Sequence, residues 1–284
     1  MRVIEDPAEF QSACRRHRDS LGLVLTMGAL HEGHLSLVRA SRARDAATAA
    51  TIFVNPLQFG PQEDFARYPR TLDRDLALLE REGTALVFAP QVEAMYAPGF
   101  ATAVEVAGLS ERLCGASRPG HFRGVATVVL KLLHLAGPAR AYFGQKDAAQ
   151  AALIRRLVRD LSVPVEIVVM PIVREPDGLA LSSRNAYLDA AARQRAALLY
   201  QALDAVRRRY ESGERAASRL VAAGRAVLEG EAAIRLDYFA AVDAESLLPV
   251  ASAGPGTLFA VAAYLGGTRL IDNLVIRADG TPQL

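Results

Sequence analysis

The sequence predicts an α/β chain: a parallel sheet covered by helices on both faces, followed by a smaller α+β domain. Three observations carry this. Between Leu21 and Val169, short apolar runs alternate with helix-period segments, the pattern of a parallel sheet wound by helices. After Pro171 the texture changes to two long arginine- and alanine-rich helical stretches and then to longer strand-like ones. The 284 residues suffice for one large domain or two modest ones, with 1–173 and 174–284 as the expected division at the Pro171–Pro176 boundary.

Each element has its own signal. Leu21 to Met27 is a buried apolar run stopped by Gly28, hence a strand. Leu35 to about Ala50 reads as an alanine-rich helix, and Thr51–Ile52–Phe53–Val54 as a strand ended by Asn55–Pro56. A helix from Leu72 to Glu82 leads through Gly83 into a strand from Ala85 to Phe88. A helix from Val125 to Leu135, a strand from Ala141 to Phe143, a helix from Ala148 to Leu161 and a strand from Val165 to Val169 complete the first part. Beyond the boundary come helices from Ala190 to Arg209 and Arg215 to Leu228. Strands then follow at Leu236–Val242, Leu258–Leu265 and Leu270–Ile276, the last two joined by Gly266–Gly267.

Composition narrows the function classes. Hydrophobic residues make up 51% and charged residues 23%, an ordinary globular balance. The 33 basic and 31 acidic residues leave a net charge of +2, too little for a nucleic-acid or anionic-lipid surface. Cys14 and Cys114 form no CxxC pair, so neither a disulfide framework nor a cysteine zinc site is expected, and a reducing compartment fits. The N-terminus is acidic where a secretion signal is apolar, and no apolar run reaches the roughly 20 residues of a membrane span. A cytoplasmic protein without membrane or nucleic-acid partners is the expectation. Only Lys131 and Lys146 are lysines, so each is a place to look for chemistry that needs a compact ammonium.

Common nucleotide and hydrolase signatures are missing: no GxGxxG follows the first strand, and there is no GxxxxGK, GxSxG or HExxH. Instead the first strand runs into Thr26–Met27–Gly28–Ala29–Leu30–His31–Glu32–Gly33–His34 ahead of a helix. Two glycines allow close approach of a ligand to the backbone. Two imidazoles and a helix N-terminus with free N–H groups suit phosphate. A zinc pair on His31 and His34 lacks a third ligand. Gln58, after the second strand, offers a donor and an acceptor to a hydroxyl or a carboxylate on a small substrate. Gly144–Gln145–Lys146–Asp147 opens another helix, with Lys146 toward phosphate, Asp147 at an N-cap or a ribose, and Gln150 one turn beyond. Leu181–Ser182–Ser183–Arg184 forms a candidate anion clamp, and His121–Phe122–Arg123–Gly124 a further anion contact.

Five motifs, TMGALHEGH, FVNPLQF, HFRGV, FGQKD and LSSRN, in this order and spacing, resemble the pantoate–β-alanine ligases, members of the HIGH-type nucleotidyltransferases. The resemblance implies a Rossmann-like N-terminal domain closed by a smaller C-terminal one, a homodimer, and an ATP-driven ligation of pantoate to β-alanine through a pantoyl adenylate, releasing AMP and pyrophosphate. It implies an ATP loop of Met27, Gly28, Ala29, Leu30, His31, Glu32, Gly33 and His34, with His34 catalytic and His31 assisting. It further implies ATP contacts from Gly144, Gln145, Lys146, Asp147, Val173, Leu181, Ser182, Ser183 and Arg184. Lys146 and Arg184 would act at the phosphates, Asp147 at the ribose and Val173 at the adenine. Gln58 and Gln150 would hold pantoate, with Gln58 also facing β-alanine. Mg²⁺ bound to the triphosphate would rely on phosphate oxygens and water, since magnesium sites use few protein ligands, with Asp73 and Asp75 as less favoured candidate helpers. Leu25, Gln145 and Leu181 depart from the family's usual proline, glutamate and methionine. A nucleotidylyltransferase, whose product keeps the nucleotide, and a nucleotide-sensing or RNA-binding module descended from a synthetase are the competing readings.

Overall fold

Alternation of apolar strands and amphipathic helices produces the expected architecture in a computed structural model that describes residues 1–61 and 63–284. The strands are β1 (Arg2–Ile4), β2 (Leu21–Thr26), β3 (Ala47–Ile52), β4 (Leu86–Phe88), β5 (Arg140–Gly144) and β6 (Glu166–Met170). They form one parallel sheet in the order β1-β4-β3-β2-β5-β6. Helices α1 (Pro7–Arg15), α2 (Glu32–Arg44), α3 (Leu72–Arg81), α4 (Val92–Met95), α5 (Cys114–Ser117), α6 (His121–Ala136) and α7 (Ala148–Asp160) connect them. Winding runs from β2 through β3 to β4 on one side, then restarts at β5 on the other. The reversal lies between β2 and β5, where Val24 pairs with Tyr142. In an open α/β sheet the carboxyl edge at such a reversal is the ligand crevice.

The described chain divides into two compact units. The first holds Met1–Ser110, Arg118–Gly144 and Leu153–Met170. Its core includes Val24, Leu30, Leu37, Val38, Ala50, Leu79, Val87 and Tyr142. The second holds Glu111–Ser117, Gln145–Ala152 and Pro171–Leu284. It contains α8 (Ala190–Ala196), α9 (Leu198–Glu211) and α10 (Ala217–Glu229), with β7 (Ile234–Asp243), β8 (Thr257–Leu265), β9 (Thr268–Ile276) and β10 (Pro282–Gln283). These strands form an antiparallel sheet in the order β10-β9-β8-β7, and Leu199, Leu203, Leu220, Phe259 and Leu274 lie in the core beneath it.

Three local readings are corrected. Residues Ala47–Ala50 belong to strand β3, not to the helix before it. Asp45 is extended (φ −117°, ψ 149°) and stops α2, and Ala47 to Ala50 pair in register with Leu21 to Val24. Alanine's helical propensity yields here to tertiary pairing. The helix expected from Ala190 to Arg209 is two, α8 and α9, meeting at Ala197. The helix expected at Val125 begins at His121, where Gly120 at φ 82° turns the chain in. Strand β1 and helix α1 carry the N-terminal segment to the sheet edge, with Asp6 capping α1 through Glu9 N at 2.8 Å and Pro7 at its first position.

Candidate active site

The loop after β2 is built by turn geometry and one buried carboxylate. Gly28 and Ala29 take positive φ (80° and 49°), which turns the chain sharply off the sheet edge. Thr26 Oγ1 donates to Thr51 O at 2.6 Å and accepts from Gly28 N at 3.1 Å. Asp75, fully buried on α3, accepts from Ala29 N and Leu30 N, each at 2.8 Å on a different oxygen, and from Thr71 Oγ1 at 3.1 Å. A charged acceptor thus holds two consecutive amides in a strained turn. Leu30 is 1% exposed and packs into the core, so the loop is pinned from both sides.

Helix α2 begins at Glu32, earlier than the sequence suggests, and His31 is its N-cap. Gly33 N donates to His31 Nδ1 at 3.2 Å, and His31 N donates to His34 Nδ1 at 3.3 Å. His34 N and Leu35 N donate to His31 O. The expectation of free helix amides for phosphate is therefore corrected at these four positions, because the two histidines and the His31 carbonyl take them up. An imidazole that accepts at Nδ1 carries its proton on Nε2 when neutral. The ring centroids lie 4.1 Å apart. Both rings thereby convert the helix's positive end into a pair of Nε2–H donors. Glu32 is exposed and paired with Arg39, which holds its carboxyl below the usual range.

The turn after β3 supplies the second part. Asn55, 1% exposed, caps the 3-10 turn Pro56–Gln58 through Leu57 N. Its Nδ2 donates to Gln58 Oε1 at 3.0 Å and to Gly124 O at 3.1 Å, while Tyr96 OH donates to its Oδ1 at 2.8 Å. Burial raises the Tyr96 phenol, so it stays a donor. These bonds fix which way the Gln58 amide faces: Oε1 toward Asn55 and Nε2 toward Met27 Sδ at 3.0 Å. A thioether is a weak acceptor, readily replaced by a ligand oxygen. Behind the turn, His121 Nδ1 lies 2.8 Å from Gln58 O, and Arg118 binds Glu63 in a fork at 2.7 and 2.6 Å. Burial pushes Glu63 up, but Arg118 pulls it further down, so its carboxyl titrates below the ordinary value. A Cβ on Gly124 would lie 2.2 Å from Leu57 O, which explains the glycine. His121 and Gly124 brace the Gln58 turn.

In the second unit, Gln145–Asp147 forms a 3-10 turn directly after Gly144 closes β5. Lys146 Nζ is 3.7 Å from Asp147, and its side chain is 21% exposed. Gln150 is half-buried on α7. Val173 O accepts from Leu181 N at 3.0 Å, and Arg174 bridges Ala180, so 173–181 is a small hairpin. Ser182 Oγ accepts from Arg184 N at 3.2 Å and caps the turn Ser183–Tyr187.

Among the described residues no three histidine, cysteine, aspartate or glutamate side chains gather as a metal cage. Asp73 is exposed, and Asp75, named with it as a helper for Mg²⁺, has both oxygens committed to the loop. Asp75 as a loop anchor, Asn55 and Tyr96 were missed by sequence reasoning. Asn55 before a proline carried a usable capping signal; Asp75 and Tyr96 carried none.

A central strand of an open parallel sheet, ending in a glycine–histidine turn that caps the next helix, is the arrangement found in the class of α/β enzymes that bind ligands at the carboxyl edge of the sheet. The chain belongs to the pantoate–beta-alanine ligase family, whose model matches residues 2–275. The pantothenate synthetase of Acidobacterium capsulatum is 56% identical over 97% of both chains, and that of Koribacter versatilis 55% over 99% of this chain and 97% of its own. Among solved structures, pantothenate synthetase from Thermus thermophilus superposes with a TM-score of 0.94 at 49% identity, covering 98% of this chain and 100% of that one. The pantoate–beta-alanine ligase of Francisella tularensis, solved with ATP (beta-gamma) and beta-alanine, gives 0.80 at 32% identity over 97% of each. No helix among the described residues is long and apolar enough to cross a membrane.

Proposed function

We propose that this chain condenses pantoate with β-alanine at the expense of ATP, through a pantoyl adenylate. The observation that carries the reading is the 3.0 Å approach of Gln58 Nε2 to Met27: a fixed amide donor for a small acid stands against the loop that carries His31 and His34. The relative from Francisella tularensis, solved with an ATP species and beta-alanine, supports the same pair of ligands here.

In the first half-reaction a pantoate carboxylate oxygen attacks the α-phosphorus. A new P–O bond forms, the bond to the bridging oxygen breaks, and pyrophosphate leaves with its electron pair. One anion must approach another, so the protein's task is charge neutralisation and in-line placement. His31 and His34 donate Nε2–H to phosphoryl oxygens, and Gln58 Nε2 and Gln150 orient pantoate. Lys146 and Arg184 offset the charge that builds on the departing pyrophosphate. Asp147 holds the ribose and Val173 lies against the adenine. Mg²⁺ would come with the triphosphate as part of the substrate, held by phosphate oxygens and water. In the second half-reaction the β-alanine amine attacks the acyl carbon, loses a proton, and AMP leaves from the activated carbonyl.

Pantoate alone should support exchange of labelled pyrophosphate into ATP, and adding β-alanine should release free AMP. A requirement for both acids before any exchange would overturn the adenylate. Product that retains the nucleotide would identify a nucleotidylyltransferase instead. Lys146→Ala should lower the exchange rate by at least ~10²-fold, the scale of one lost transition-state charge contact. Near-normal exchange in a folded variant would remove Lys146 from the mechanism.

A further inference from the structure

Two neighbouring residues of β9, Asp272 and Asn273, carry no chemistry in the proposed reaction, yet both are buried, at 3% and 2% exposure. Asn273 Nδ2 donates to Gln145 O at 2.9 Å and to Lys146 O at 3.0 Å, while its Oδ1 accepts from Gln145 Nε2 at 3.2 Å. Three bonds thus lock one amide onto the backbone and side chain of the Gln145–Asp147 turn. Asp272 grips Arg174 in a two-pronged pair at 2.7 and 3.0 Å, and accepts from Asn273 N at 2.7 Å. Arg174 also donates to Gly178 O at 3.0 Å, and its guanidinium lies 5.0 Å from the Tyr200 ring centre. Arg174 therefore anchors the hairpin whose arms carry Val173 and Leu181. Asn185 continues the chain of bonds, donating from Nδ2 to Ala180 O at 3.1 Å.

We infer that Asp272 and Asn273 are positioning residues for nucleotide: from one point on β9 they set the Lys146 turn, the Val173 arm and the Leu181–Arg184 turn relative to one another. The inference rests on the nucleotide contacts proposed above. All these segments lie within the second unit. A buried bidentate arginine–carboxylate pair and a fully bonded amide supply directional restraint as well as cohesion. The family departure at Gln145 fits as well, because its amide donates to Asn273 Oδ1 where a carboxylate would have no proton to give.

The test compares Asn273→Asp and Arg174→Lys with the wild-type chain. Asn273→Asp is nearly isosteric but sets a carboxylate oxygen against two carbonyls. Arg174→Lys keeps the charge and loses the fork. Calorimetric titration with a non-hydrolysable ATP analogue reads affinity directly, and pyrophosphate exchange reads KM and kcat. Asn273→Asp should weaken the analogue and raise the KM for ATP by about 10-fold or more, the scale of two lost hydrogen bonds. KM for pantoate should stay within about twofold and kcat within about threefold. Arg174→Lys should show the same split, and it decides the matter if Asn273→Asp does not fold. Unchanged affinity in a folded variant would overturn the inference, as would a loss of kcat with an unmoved KM for ATP. A wild-type chain that binds the analogue but never exchanges pyrophosphate defeats the ligase reading, while the affinity comparison still judges this one. A wild-type chain that binds no analogue defeats both.

Discussion

Asp75→Asn is the sharpest perturbation of the histidine loop, since it keeps shape and alters only charge and donor pattern. Asp75 accepts three bonds, two of them from consecutive backbone amides at 2.8 Å on different oxygens. Asparagine has one acceptor oxygen, so in either amide orientation one of the two N–H groups faces an NH2. A buried donor left unpaired costs about 1–3 kcal/mol. The bond that survives falls from the charge-assisted range to the neutral one, a further loss of about 1 kcal/mol. Together the turn should lose roughly 2–4 kcal/mol, enough to let Gly28 and Ala29 relax from positive φ. Because His31 follows directly, the Nε2–H donors move with it. The assay pairs urea unfolding with pantoate-dependent pyrophosphate exchange. Exchange should fall by about 10- to 100-fold, and Asp75→Asn should do at least as badly as Asp75→Ala, where water can solvate the released amides. An asparagine variant within about 0.5 kcal/mol of wild-type stability, with exchange within about twofold, would refute the anchoring role.

Other outcomes follow from the same geometry. Gly124→Ala places a Cβ 2.2 Å from Leu57 O, a backbone atom that cannot swing away. It should cost roughly 1–3 kcal/mol of stability by denaturant titration and raise the KM for pantoate. Glu63 titrates below its ordinary value of 4.5 in the folded chain, so its contribution is present above pH 4.5 and lost as pH falls through the lower folded value. Glu63→Gln should therefore flatten the stability profile in that acid window, and an unchanged slope would count against the Arg118 pair. Burial pushes the Cys14 thiol up to about 12, leaving about one thiolate in 10⁴ at pH 8. Native protein should resist alkylation at Cys14 for hours, as peptide mapping by mass spectrometry would record, and rapid labelling would contradict its burial.

What the sequence made legible was local. Runs such as Leu21–Thr26 and Leu258–Leu265 announce strands because nearly every side chain in them is apolar or β-branched, and the glycine–histidine loop is a contiguous signal. Element ends were harder. Ala47–Ala50 has helical composition but lies between two strands that demand a pairing partner, and pairing decided it. The first turn of α2 escaped because histidine is an uncommon N-cap, and only coordinates reveal that His31 and His34 exchange caps through Nδ1.

The long-range supports were invisible for one physical reason: each joins segments distant in sequence through a residue whose local context is ordinary. Asp75 reads as one more acid in the first turn of α3, where acids suit the helix dipole, yet its bonds run back 45 and 46 residues. Asn273 sits in the middle of a strand, 127 and 128 residues from the carbonyls it holds. Groups that would touch substrate cluster in short motifs because a loop delivers them together. Groups that hold those loops still are scattered, since a brace must come from a different element than the one it braces. A buried polar side chain whose bonds reach a segment distant in sequence is therefore the place to look for such braces, and Asn55, Asp75, Asp272 and Asn273 are all of that kind.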